Sequence, residues 1–143
     1  MLLSKDWILE FIWWAGLSQL ALVMASLAIP RVLHWKEELA KLSSPLIRQI
    51  FWVYSAYIWA TNLGFGLLSA FAPEWLLTKD PLSGAVSGFI ALYWTSRFFI
   101  QIFYFDRKGL PVRTIFKLSD LVLTLLFVFL SLVYAIAAYF NFQ

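Results

Sequence analysis

The chain has 143 residues, of which 62% are hydrophobic and 13% charged, with a net charge of +3. A soluble domain usually carries about 25% charged residues, so composition points to the membrane, with room for one domain, 1–143. The absence of cysteine and the single histidine exclude disulfides, thiolate metal sites, iron–sulfur clusters, thiol nucleophiles and a bis-histidine haem within one chain.

The first apolar segment covers about residues 5–29. Lys5 is its only early cation, and Glu10 stands where a cleavable signal would have its apolar core. The run is long enough to span a bilayer, so a retained transmembrane helix is expected. Trp7, Trp13 and Trp14 cluster near its start, as interfacial aromatics do. Ser18, Ala21, Ala25 and Ala28 form a small-residue line suited to close packing. Gln19 is a further polar member.

Pro30 ends or kinks that span. In segment 31–42, Val32, Trp35, Leu39 and Leu42 share one helical face, opposite Arg31, His34, Lys36, Glu37, Glu38 and Lys41. This predicts a short amphipathic helix lying at headgroup level. His34–Glu38 and Glu37–Lys41 have the i,i+4 spacing of surface pairs.

Ser44–Pro45 reads as a helix cap followed by proline at the first helical position. The second span is predicted over 45–71. Its line Ala56, Ala60 and Gly64 predicts a tight helix contact. Tyr54, Ser55, Tyr57, Thr61 and Asn62 fall at mid-membrane depth, where each needs a partner. Asp80–Pro81 repeats the cap pattern and opens a third span over 81–106, with a GxxxG at Gly84 and Gly88. Gly109 and Pro111 mark a tight turn before the fourth span, 112–140. Tyr134, Tyr139, Phe140 and Phe142 are expected at its far interface. Short connections predict an all-α, antiparallel bundle of four transmembrane helices.

Charge placement orients this bundle. Arg31, Lys36, Lys41 and Arg48 follow the first span; Arg107, Lys108, Arg113 and Lys117 follow the third. The other side has Lys5 and Lys79. The positive-inside rule then places both termini outside, in the periplasm of a bacterial inner membrane. The basic segments would attract anionic lipid headgroups. A nucleic-acid partner is not expected, because no soluble basic face exists for it.

The eleventh cation, Arg97, lies within the third span, nine residues before Asp106. That is roughly 13 Å at 1.5 Å per residue. Tyr93, Arg97, Gln101 and Tyr104 form a polar stripe. Asp120 lies at matching depth in the fourth span, so an Arg97–Asp120 ion pair is predicted. Glu10 is expected to be solvated at the interface, or else to pair with Asn62 or a partner chain. No metal or cofactor is implied, and HExxH, GxSxG and P-loop patterns are missing.

Three functional classes remain. A non-enzymatic accessory or assembly subunit is the first. The second is a small transporter, channel or lipid-binding protein using the Arg97 stripe, as a homo-oligomer if it forms a pore. The weakest is a lipid-modifying membrane enzyme.

Overall fold

The computed structural model describes residues 4–109 and 113–143, which form helices joined by short turns and loops and contain no strand. Four long helices dominate. They are α1 (Lys5–Ser26), α4 (Pro45–Phe71), α5 (Pro81–Phe99) and α6 (Thr114–Asn141). Two short helices, α2 (Ile29–Val32) and α3 (Trp35–Ala40), connect α1 to α4. Three helical stretches are long and apolar enough to cross a membrane: Lys5–Val32, Pro81–Tyr104 and Thr114–Asn141. α4, 27 residues long, is not one of those three.

The predicted caps form. Ser44 accepts a hydrogen bond from the Ile47 amide at 3.4 Å. The Asp80 carboxylate accepts from the Ser83 amide at 3.0 Å. Hydrogen bonds from Thr78 and then the Ser83 amide hold the exposed Asp80 carboxyl below the usual carboxylate range. Each cap removes an orphan donor at a helix start, where proline at the first position has none to lose.

Several sequence expectations need correction. The single amphipathic helix over 31–42 is broken, because His34 takes a left-handed conformation (φ 51°, ψ 43°) between α2 and α3. This rotates the following turn. The pairs formed there are His34–Glu37 at 3.2 Å and Lys41–Glu38 at 2.6 Å, both i,i+3, in place of the i,i+4 pairs expected. Trp35 still docks, edge-on to Phe51 at 5.0 Å between ring centroids, and fastens α3 to the start of α4. The third span does not stay α-helical to 106. It passes at Ile100 into a π-helical turn, Ile100–Tyr104. The fourth is described from Thr114; Pro111 and the predicted start at Val112 lie outside the described residues.

The small-residue lines are also reassigned. Ala56, Ala60 and Gly64 are exposed, and a Cβ added at Gly64 would meet nothing within 4 Å. Ala21 and Ala25 on α1, and Ala28 just beyond it, are likewise exposed. The close approach of α1 to α4 occurs instead at Gly16, where an added Cβ would lie 2.5 Å from the Ala70 amide nitrogen. Spacing alone does not say which of two small-residue faces meets the neighbour. The GxxxG of α5 does face α6: a Cβ at Gly84 would run into the Phe142 ring, while Gly88 leaves 3.9 Å to Ala138.

Helix pairing is α1 with α4 and α5 with α6, joined mainly where α1 meets α6. One end carries the 73–80 loop and the start of α1. The other carries the basic segments and is called the basic end below. The core is unevenly distributed along this axis. On α4 the buried residues are Gly66 and Ser69; on α5 none follows Trp94; on α6 none precedes Phe127. Packing is therefore concentrated toward the loop end.

Candidate functional site

Two polar constellations lie between the long helices. The first joins all four. Gln19 of α1 donates to the Tyr134 hydroxyl of α6 at 2.5 Å and accepts from the Trp94 indole of α5 at 3.1 Å. Tyr134 also shares a hydrogen bond with Ser69 of α4. All four side chains are fully buried, at 0% exposure. The sequence reading places Gln19 only as a polar member of its helix and Tyr134 at an interface. Both placements are corrected by this junction. Its signal was present, because a polar side chain inside an apolar span must find a partner. Trp94 also stacks on Phe127, with ring centroids 5.5 Å apart.

Close to the 73–80 loop, Asn141 ties the chain end to that loop. Its amide donates to the Leu76 carbonyl at 2.6 Å, and its carbonyl oxygen accepts from the Lys79 amide at 3.0 Å. Ser87 adds a bond to the same Leu76 carbonyl. These contacts close the loop end.

The second constellation surrounds Arg97, and the predicted Arg97–Asp120 pair does not form. Asp120 accepts from Arg107 Nε at 2.9 Å and from Gln101 Nε2 at 2.5 Å. Arg107 also donates to the Gln101 carbonyl at 2.9 Å, so it folds back over the π turn. The cause is register. Gln101 lies opposite Asp120, and Trp94 lies opposite Phe127. The same antiparallel register sets Arg97 level with Thr124, one turn from Asp120.

Arg97 is thus left with an aromatic neighbour and no acid. Its guanidinium carbon is 5.7 Å from the centroid of Phe127, a cation–π contact. Its Nε is buried without a hydrogen-bond partner, alone in this among the buried side-chain nitrogens and oxygens of the described residues. Tyr93, one turn away, donates to Asn62 of α4 at 2.5 Å. Tyr104, the last residue of the predicted stripe, points away and is 80% exposed. The stripe therefore divides: Gln101 serves Asp120, Tyr93 serves Asn62, and Arg97 serves neither.

Glu10 is exposed and does not meet Asn62. A shallow groove of about 200 Å³ lies beside it, lined by Trp7, Phe11 and Trp14. A second of similar size, nearly all apolar, runs between α1 and α6 along Phe129, Leu132 and Ile136. Neither reaches Arg97.

The altered pairing gives a direct test. Arg107→Ala and Asp120→Ala should couple by about 0.2–1 kcal/mol in a double-mutant cycle of unfolding in detergent, the range of partly exposed ion pairs. Arg97→Ala and Asp120→Ala should be additive within about 0.5 kcal/mol. Coupling of Asp120 to Arg97 rather than to Arg107 would contradict the register.

No protein-family model, curated protein or solved structure matches this chain.

Proposed function

We propose that the chain crosses a membrane four times as an antiparallel bundle and serves as a non-enzymatic accessory or assembly subunit of a membrane complex. Both termini face outward, and the basic end lies in the cytoplasm of a bacterial inner membrane. The eight-to-two division of cations between the two ends supports that orientation.

One observation carries the subunit reading. α4 is the long helix least covered by its own protein. Its 27 residues include Arg48, Gln49, Asn62 and two tyrosines, yet only Gly66 and Ser69 are buried. Tyr54 and Tyr57 are 65% and 68% exposed. Hydroxyl groups facing hydrocarbon find no partner there. A transmembrane helix of a partner subunit would provide one. Ala56, Ala60 and Gly64 would let that helix approach closely, because they place nothing bulky in its way. A second copy of the chain is the alternative occupant.

Site-specific photo-cross-linking from Ala60 in native membranes tests this. The expected product is an adduct with one other membrane polypeptide. An adduct with the chain itself would convert the reading to a homo-oligomer. Lipid adducts alone would overturn it.

Topology is separately accessible, because the chain has no native cysteine. Thr78→Cys should react with an impermeant maleimide from outside intact cells, and Lys108→Cys only after lysis. The reverse pattern would overturn the orientation.

A further inference from the structure

We propose that Arg97 is the headgroup-binding residue of a site for one anionic phospholipid, entered sideways from the leaflet at the basic end. The inference rests on the transmembrane reading and is independent of the partner-subunit reading. It begins with the uneven core. Toward the loop end the helices are packed and cross-bonded. From Trp94 and Phe127 toward the basic end, neither α5 nor α6 has a buried residue. α4 has none before Gly66. Among the described residues, α4 and α5 are tied by Asn62–Tyr93 and by Phe65 against Phe89 and Tyr93. No hydrogen bond, ion pair or ring contact joins those two helices beyond that point. From Tyr93 toward the basic end the seam between α4 and α5 is thus not cross-bonded among the described residues, and Tyr93 forms its roof.

Arg97 sits one turn below Tyr93, directly under that roof. A guanidinium is permanently charged, and in a membrane interior it requires an anion, a cavity or an escape to the headgroups. Its natural counter-ion within the chain, Asp120, is already used by Arg107 and Gln101. Its Nε is buried with no acceptor, and among the described residues no hydrogen bond or ion pair engages the two terminal nitrogens of its half-buried guanidinium. The missing group is therefore an oxyanion from outside the chain. A phosphodiester suits a guanidinium, which can donate two parallel hydrogen bonds to it. The surroundings select a lipid over a free ion. Phe99 and Phe103, exposed at 52% and 77% on the same segment, offer apolar surface to acyl chains. Lys108, Arg113 and Lys117 at the basic end would concentrate anionic lipid near the entrance. The π turn that begins three residues after Arg97 is of a kind that recurs at functional sites.

The test uses the full chain, purified in mild detergent, delipidated, and titrated with phosphatidylglycerol while bound lipid is counted by native mass spectrometry. Phosphatidylcholine of the same acyl chains and inorganic phosphate are run in parallel. One phosphatidylglycerol per chain is expected to survive, with Arg97→Gln weakening it about tenfold or more, of the order of 1.4 kcal/mol. Arg97→Lys should retain part of the binding, since it keeps the charge and loses the fork. Lys5→Gln removes the same net charge from an exposed position at the opposite end of the bundle and should change retention less than twofold. Equal losses in Arg97→Gln and Lys5→Gln would overturn the proposal, as would equal retention of phosphatidylcholine. Saturable competition by inorganic phosphate at the same affinity would overturn the lipid assignment in favour of a free anion. Melting of each variant in detergent confirms that binding is lost from a folded chain, with Arg97→Lys carrying the test if Arg97→Gln does not fold. Failure of the transmembrane reading would show instead in the cysteine labelling, which does not depend on Arg97.

Discussion

Gly16→Leu is expected to abolish the native packing of α1 on α4. Even the single methyl of Gly16→Ala would lie 2.5 Å from the Ala70 nitrogen, 2.8 Å from the Ser69 carbonyl carbon and 2.9 Å from the Ala70 Cα. These are backbone atoms inside a helix, so no rotamer change relieves the clash. The helices must separate, and separation pulls Ser69 away from Tyr134. Overpacking of this kind costs about 1–3 kcal/mol for a small group; leucine adds three more carbons to the same spot. Gly64→Ala is the matching control, since its Cβ would enter open space. It should be neutral in the isolated chain or stabilise it by up to about 1 kcal/mol through helix propensity. Thermal or SDS-induced unfolding in detergent reads both. Destabilisation by Gly64→Ala with tolerance at Gly16 would reverse the assignment of the packed face.

Gln19→Leu is expected to produce the second large loss. Leucine is close in size to glutamine, so packing is nearly retained while both cross-helix bonds vanish. The Trp94 indole is then left buried without its acceptor, and Tyr134 keeps only Ser69. Stranding a buried polar group costs about 1–3 kcal/mol. Hydrogen bonds inside membrane proteins average nearer 0.6 kcal/mol, because the unfolded chain in lipid also finds partners. Gln19 engages two other helices at once, which favours the upper part of that range. Tyr134→Phe removes one hydroxyl from the same junction and should cost less. The double variant should fall short of the sum, since the two share a bond. Strict additivity of Gln19→Leu and Tyr134→Phe would mean that the junction does not act as a unit.

The sequence made the long helices and their caps legible because each rests on local chemistry. Ser44–Pro45 and Asp80–Pro81 announce helix starts through groups that lie within three residues of each other. Span length and apolar composition are similarly local. What failed depended on relative rotation and register between helices. Ala56, Ala60 and Gly64 have the spacing of a packing face, yet Gly16 and Ala70 are the positions that meet. Arg97 and Asp120 match in depth when counted from the turn between them. The last helix is described from Thr114, and Gln101 sits opposite Asp120. One turn of difference is enough to exchange Arg97 for Arg107 as the acid's partner.

The junction residues were individually visible and jointly hidden. A glutamine in α1, a serine near the end of α4 and a tyrosine near the end of α6 are 65 to 115 residues apart in pairs that bond. Nothing in their local spacing links them. Depth could have suggested that each needs a partner, but the choice among partners is tertiary. Arg97, singled out as the costly charge of the sequence, keeps that status in the fold. Its unpaired state is a consequence of register that counting residues did not reach.

Native mass spectrometry of the chain extracted in mild detergent, beside its Gly64→Leu variant, tests the subunit reading most directly. Gly64 faces open space within the chain, so leucine there leaves the fold intact and obstructs only what docks from outside. The expected result is a complex of the 16.6 kDa chain with another membrane polypeptide in fixed stoichiometry, and a bare chain for Gly64→Leu. A bare wild-type chain, or a complex indifferent to leucine at position 64, would contradict it.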